Sequence, residues 1–162
     1  ASVNGTMKRS TVLTGIAGLL LSAPAAARAA VAVVTHTDAE WRKLLPAESY
    51  DVLRHEGTER PFSSPLDEEK RAGTFSCLGC DLALFSSKTK FDSGTGWPSF
   101  WAPLPDAIAT HSDTSMFMAR TEVHCRRCAG HLGHVFDDGP KPTGLRYCMN
   151  GVALRFRPGR AA

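Results

Sequence analysis

The sequence predicts a mainly β, α+β domain, with a short helical N-terminus followed by mostly antiparallel strands. Three observations carry this. Residues 37–57 hold a helix-capping pattern and then a proline-led helical segment. Residues 144–157 alternate, with Val152, Leu154 and Phe156 on one face and Ala153, Arg155 and Arg157 on the other. Four of the five cysteines form two Cys-x-x-Cys pairs, Cys77/Cys80 and Cys125/Cys128, a device that ties distant hairpins together.

The first thirty residues stand apart. Residues 1–6 read as an expression scar or an upstream extension, because Met7 reads as a natural start. Lys8-Arg9 is a basic segment, Val12 to Leu21 a short apolar run, and Ala27-Arg28-Ala29 a small-x-small cleavage site. The apolar run is too short to span a bilayer comfortably. This is the three-part pattern of an export signal, and Lys8-Arg9-Ser10 faintly resembles a twin-arginine signal. Export to a bacterial periplasm is the expectation. The alternative is a cytoplasmic protein with an unstructured apolar tail. Residues 31–162 are expected to form a single domain.

Thr37-x-x-Glu40 is a capping box that opens a short helix through Trp41 and Leu45. Pro46 suits the first turn of a second helix through Tyr50 and Leu53, stopped by Gly57. Residues 60–65 read as loop, and 64–71 as one more charged turn. Phe75, Leu82, Leu84 and Phe85 lie in short strand-like segments around the first Cys pair, and residues 116–124 alternate loosely. The Gly/Pro-rich stretches 91–105 and 130–144 read as loops held by the scaffold.

Eight Phe and three Trp in 162 residues support one modest core. The net charge is +3, but Lys8, Arg9 and Arg28 are the only charged residues before Val31. The remainder balances 16 basic against 16 acidic residues, which argues against a nucleic-acid surface.

Two residues between paired cysteines let both sulfurs face one point, and four thiolates close a tetrahedral zinc without leaving a catalytic position. The alternatives are a pair of vicinal disulfides or one thioredoxin-like redox pair, which an oxidising compartment would favour. Cys148 has no local partner. A lone cysteine is commonly a small buried hydrophobe, but Arg146, two residues away on a strand, would share its face and lower its pKa. Two further segments carry chemistry. Residues 91–100 place Trp97 and Phe100 in a loop, as a plug over the sheet or as a binding wall. His131-Leu132-Gly133-His134-Val135-Phe136-Asp137-Asp138 could bind metal or move protons, or be surface turn.

The ordered motifs Gly57-Thr58-Glu59-Arg60-Pro61-Phe62, Lys90-Phe91-Asp92-Ser93-Gly94, Gly96-Trp97-Pro98-Ser99-Phe100, His131-Leu132-Gly133-His134-Val135-Phe136 and Arg146-Tyr147-Cys148-x-Asn150 together resemble the B-type methionine-R-sulfoxide reductases. The resemblance runs from about Trp41 to Pro158. It implies two antiparallel sheets with short N-terminal helices, one structural Zn2+ on Cys77, Cys80, Cys125 and Cys128, and repair of oxidised proteins by reduction of methionine-R-sulfoxide. It further implies Cys148 as nucleophile, His131 or His134 as acid, Asp138 orienting or charging the histidine pair, and Arg146 favouring the thiolate. Asn150 would orient the site, and Trp97 with Phe136 would receive the substrate methyl.

One departure matters. The residue two before the tryptophan is a resolving cysteine in many members of that family, and here it is Thr95. Regeneration would then need an outside thiol such as thioredoxin. The expected partners are that thiol and oxidised methionine in proteins or peptides, with no nucleic acid, no stable membrane insertion and a monomeric chain. Two competing readings stand beside this one: a zinc-knuckle binding module, and an enzyme in which His131, His134 and Cys148 ligate a catalytic metal.

Overall fold

Thr37 accepts the Glu40 amide at 3.3 Å, and the Glu40 carboxylate accepts the Thr37 amide at 2.7 Å. This reciprocal cap starts α1 (Asp38–Leu44) as the sequence predicts. In the computed structural model, residues 2, 32–115 and 118–161 are described. The expected export signal at residues 7–29 lies outside them. Pro46 is the residue before α2 (Ala47–His55), not part of its first turn. Glu56, at φ 58°, takes the left-handed cap position expected of Gly57.

Nine strands follow among the described residues: β1 (Gly73–Cys77), β2 (Ala83–Ser86), β3 (Lys90–Phe91), β4 (Ser99–Phe100), β5 (Ile108–Asp113), β6 (Arg120–Cys125), β7 (His131–Phe136), β8 (Arg146–Met149) and β9 (Leu154–Pro158). They form two antiparallel sheets, ordered β2-β1-β9 and β3-β4-β8-β7-β6-β5. The mainly β, two-sheet fold with short N-terminal helices is therefore the fold present. Phe75 and Phe85 of the small sheet meet Phe100 of the large one, with ring centroids 5.0 and 4.4 Å apart, so the core lies between the sheets. All three rings are fully buried.

Three expectations about strands need correction. Residues 130–144 are not all loop, because β7 runs through them between β6 and β8. Its glycine hid it from composition, yet Gly133 is where the chains approach: a Cβ there would collide with the Cys148 carbonyl. Residues 91–105 are likewise not all loop, since Ser99 and Phe100 pair with Cys148 and Tyr147. Residues 144–157 are not one strand. β8 and β9 belong to different sheets, joined by a tight 3-10 turn at Gly151–Ala153. Ala153, expected beside the exposed arginines, is buried because it belongs to that turn.

Candidate active site

Ladder register places the central residues before any side chain is considered. Ser99 is opposite Cys148, Cys148 opposite His134, His134 opposite Glu122, and Glu122 opposite His111. Opposed residues in an antiparallel ladder share a face. One row of polar and sulfur-bearing side chains therefore crosses the large sheet through Cys148. The register shift between Val123 and His124 omits Leu132 from the ladder, and the His131 ring meets the His134 ring edge-on at 5.4 Å.

Each histidine carries its own carboxylate. His131 is buried, with Nδ1 2.6 Å from Glu122 Oε1. Its Nε2 is buried and has no hydrogen-bond partner among the described residues. His134 Nε2 lies 2.8 Å from Asp113 Oδ2, which also accepts from Arg120 at 2.8 Å. Burial lowers the His134 pKa against the opposing pull of Asp113, so the ring is neutral at neutral pH. Asp113 is held far below the usual carboxylate range, first by Ser115 and then by His134.

Asp138 is not part of this pairing, contrary to the expectation that it orients or charges the histidines. Its two oxygens accept from Arg146 at 2.8 Å each, in a fork that lowers the Asp138 pKa. The Arg146 guanidinium also lies 4.4 Å from the centre of the Phe136 ring, its cross-strand partner. Asp138 thus fixes the cation beside Cys148. Burial pushes the Cys148 thiol up, while the Thr95 hydroxyl, 3.9 Å from the sulfur, and the Arg146 charge pull it back.

Asn150 joins two walls of the site. It accepts the Glu59 amide at 3.0 Å and donates to the Leu132 carbonyl at 3.0 Å. The Trp97 indole donates to the Glu59 carbonyl at 3.2 Å. The buried Glu59 carboxylate in turn accepts the Gly151 and Val152 amides at 2.7 and 2.9 Å. These contacts frame a cavity of about 140 Å³ lined by Thr58, Trp97, Arg120, Gly133, His134, Phe136, Cys148 and Asn150. At ~30 Å³ per water it admits a group of four or five heavy atoms, not a whole peptide.

Sequence reasoning assigned no role to Glu59, Asp113, Arg120 or Glu122. Glu122 sits in the loosely alternating stretch, where an acid beside the buried Val123 was the available signal. Asp113 had none, since only the fold brings it to His134.

The four paired cysteines converge. Their sulfurs all lie within 4.8 Å of one another. The near contacts, Cys77–Cys128 at 3.6 Å and Cys80–Cys125 at 3.5 Å, cross between the pairs. Zinc–sulfur bonds of ~2.3 Å at tetrahedral angles place sulfurs ~3.8 Å apart, so the cluster fits a tetrahedral thiolate site. No cysteine is disulfide-bonded, and no vicinal bridge forms within a pair. Cys77 ends β1 and Cys125 ends β6, so the cluster joins the two sheets. Arg54 of α2 lies over the Trp41 ring at 5.0 Å and donates to the Cys128 carbonyl at 2.9 Å, seating the helices on the cluster. His131, His134 and Cys148 do not group as metal ligands among the described residues.

A family profile described as the SelR domain matches residues 45–158. The chain belongs to the SelR domain family. Proteins named peptide methionine sulfoxide reductase MsrB are similar to it along most of their length. One from Pseudomonas putida strain W619 is 61% identical over 120 residues, covering 74% of this chain and 90% of its own. That from Methanosarcina barkeri is 54% identical over 125 residues, covering 76% and 88%. That from Agrobacterium fabrum is 52% identical over 126 residues, covering 77% and 93%. The resemblance read from the motifs is thus borne out. In this SelR domain all the motifs lie within the matched span, and β4, β7 and β8 bring three of them together at Cys148.

Proposed function

We propose that the protein reduces methionine-R-sulfoxide in proteins and peptides, with Cys148 as nucleophile. One observation carries the reading: the single thiol outside the cysteine cluster is the ladder partner of a carboxylate-held histidine in a small cavity walled by Trp97 and Phe136. A methyl sulfoxide head fits that space, and the attached peptide stays outside. Trp97 and Phe136 offer apolar surface to the methyl group.

Burial keeps Cys148 protonated and His134 neutral at rest. The thiol gives up its proton to solvent, the thiolate attacks the sulfoxide sulfur, and neutral His134 relays a proton from water to the departing oxygen. Oxygen then shifts from the substrate sulfur to the Cys148 sulfur as the sulfur–sulfur bond breaks, so Cys148 becomes a sulfenic acid and the substrate leaves as methionine. The cysteine sulfur loses two electrons and the substrate sulfur gains them. His131, whose buried Nε2 has no hydrogen-bond partner among the described residues, stands behind His134 with ring centroids 5.4 Å apart. Thr95 has no thiol to resolve the sulfenic acid. An outside thiol, such as thioredoxin, displaces water to give a mixed disulfide, and a second thiol releases the enzyme.

Cys77, Cys80, Cys125 and Cys128 would hold one structural zinc, which closes its own coordination sphere and pins the two sheets. Export to the periplasm is part of the proposal and rests on the N-terminal pattern alone. No helix among the described residues is long and apolar enough to cross a membrane. The test is an assay with separated R and S epimers of a blocked methionine sulfoxide and a chemical dithiol. Consumption of the R epimer alone is expected; consumption of neither, or of S, would overturn the reading.

A further inference from the structure

We propose that His111, Glu122 and His124 form a second metal site, for a divalent transition ion that favours imidazole, on the face of β5 and β6 that carries the active-site row. The reductase reading uses neither His111 nor His124. His111 is the ladder partner of Glu122, and His124 lies two residues further along β6, hence on the same face. One donor atom from each of the three lies within 4.8 Å of the others. The two imidazole rings are 5.6 Å apart.

A second observation singles out this group. The Glu122 side chain is only 6% exposed, and its Oε1 is taken by His131. Its other oxygen, Oε2, lies 2.7 Å from His111 Nε2, yet without the alignment that a hydrogen bond needs, so it is a buried oxygen with no hydrogen bond. A carboxylate oxygen buried beside an imidazole and left without a hydrogen bond is satisfied by a cation.

Two imidazoles and a carboxylate are a zinc donor set that leaves one position to water. Copper and nickel accept the same ligands, whereas magnesium and calcium prefer oxygen. Metal–ligand bonds of ~2.1 Å at tetrahedral angles need the donors ~3.4 Å apart, so His111 must withdraw slightly. It sits on the edge strand with its side chain 54% exposed, where it is able to move. The site is separate from the cysteine cluster, because Cys125 follows His124 and alternation turns it to the opposite face. The carboxylate is shared: an ion on Oε2 and His131 on Oε1 draw on the same charge. Occupancy is therefore felt at His131.

The test uses the protein with its cysteine cluster filled with zinc and with Cys148→Ser, so that no other thiol captures metal. Cobalt(II) is added and followed by calorimetry and visible absorption. One further equivalent is expected, with the weak bands of nitrogen and oxygen ligation and without intense thiolate charge transfer. His111→Ala and His124→Ala should each weaken it by at least about tenfold. Uptake of no further equivalent, a thiolate-type spectrum, or unchanged uptake in the double variant would overturn the site. Should His124→Ala disturb the adjacent Cys125, the exposed His111→Ala decides alone. The imidazole resonances of His131 should also shift on loading, and not in His111→Ala; loading without that shift would overturn Glu122 as a ligand. Binding is the readout, so the outcome is independent of the reductase reading.

Discussion

The cysteine cluster and the Cys148 site use the same atom on the same sheet to opposite ends. At the cluster, four sulfurs from the ends of distant strands crowd within 4.8 Å, and three of the four residues are buried. Each sulfur's natural partner is another sulfur or a metal between them, and substrate has no way in. At Cys148 a single sulfur stands mid-sheet with a hydroxyl on one side, a guanidinium two residues away and a cavity in front. It faces what enters the cavity. Convergence suits a thiolate to a structural role, and isolation beside proton-carrying groups suits it to attack. The two regions should therefore respond differently to the loss of one sulfur.

The largest expected effect is at Cys148. Cys148→Ser should abolish sulfoxide reduction while metal content and the thermal unfolding midpoint stay at wild-type values, because the groups beside that sulfur, Thr95 and Arg146, also hold Ser93 and Asp138. Substantial turnover in this variant would break the comparison at its centre. Cys125→Ser should do the reverse. Metal on four thiolates contributes about 10 kcal/mol or more of apparent binding free energy in small domains, so losing one ligand should strip the metal and unfold or aggregate the chain. Metal analysis and thermal unfolding read this directly. A stable, active, metal-free Cys125→Ser protein would show that the cluster is not a staple.

His134→Gln sharpens the contrast within the site. It removes a group that moves a proton but leaves the nucleophile, so the rate should fall by ~10²–10⁴ and not vanish. Single-turnover methionine release separates this from slow recycling by thiol. Equal loss in His134→Gln and Cys148→Ser, with the fold intact, would mean that the histidine does more than carry a proton.

The comparison also explains what was legible in the sequence. The cysteine cluster could be read because its information is local: two residues between sulfurs dictate the geometry of each knuckle. The capping box of Thr37 and Glu40 was legible for the same reason. Cys148, His131, His134 and Trp97 were legible as ordered motifs, but the strands that carry them were not. β7 and β4 are held by ladder bonds to distant strands, and their Gly and Pro content argues for loop when read alone. The carboxylates were least legible. The resemblance implies that Asp138 orients or charges the histidine pair, whereas the fold brings Asp113 to His134 and leaves Asp138 to Arg146. Nothing local distinguishes an aspartate that meets a histidine across an antiparallel sheet from one that does not.

The smallest expected effect tests the isolation of Cys148 by its charge environment. Burial raises the thiol's pKa, and Thr95 and Arg146 oppose that rise without cancelling it. Thiolate is the attacking form, so kcat/KM should climb as pH rises through neutrality. Arg146→Met removes one of the two opposing influences. The pKa of Cys148 then rises further, so the ascending limb of the profile moves to higher pH. The variant should be slower than wild type near neutrality and regain rate at alkaline pH. Asp138→Asn should displace the limb less, because it releases the guanidinium without removing its charge. A uniform drop at every pH would instead assign Arg146 a packing role against Phe136, over whose ring it lies at 4.4 Å. Iodoacetamide alkylation of Cys148 across the same pH range gives the thiolate fraction without substrate, and its profile should move in the same direction as the kinetic limb.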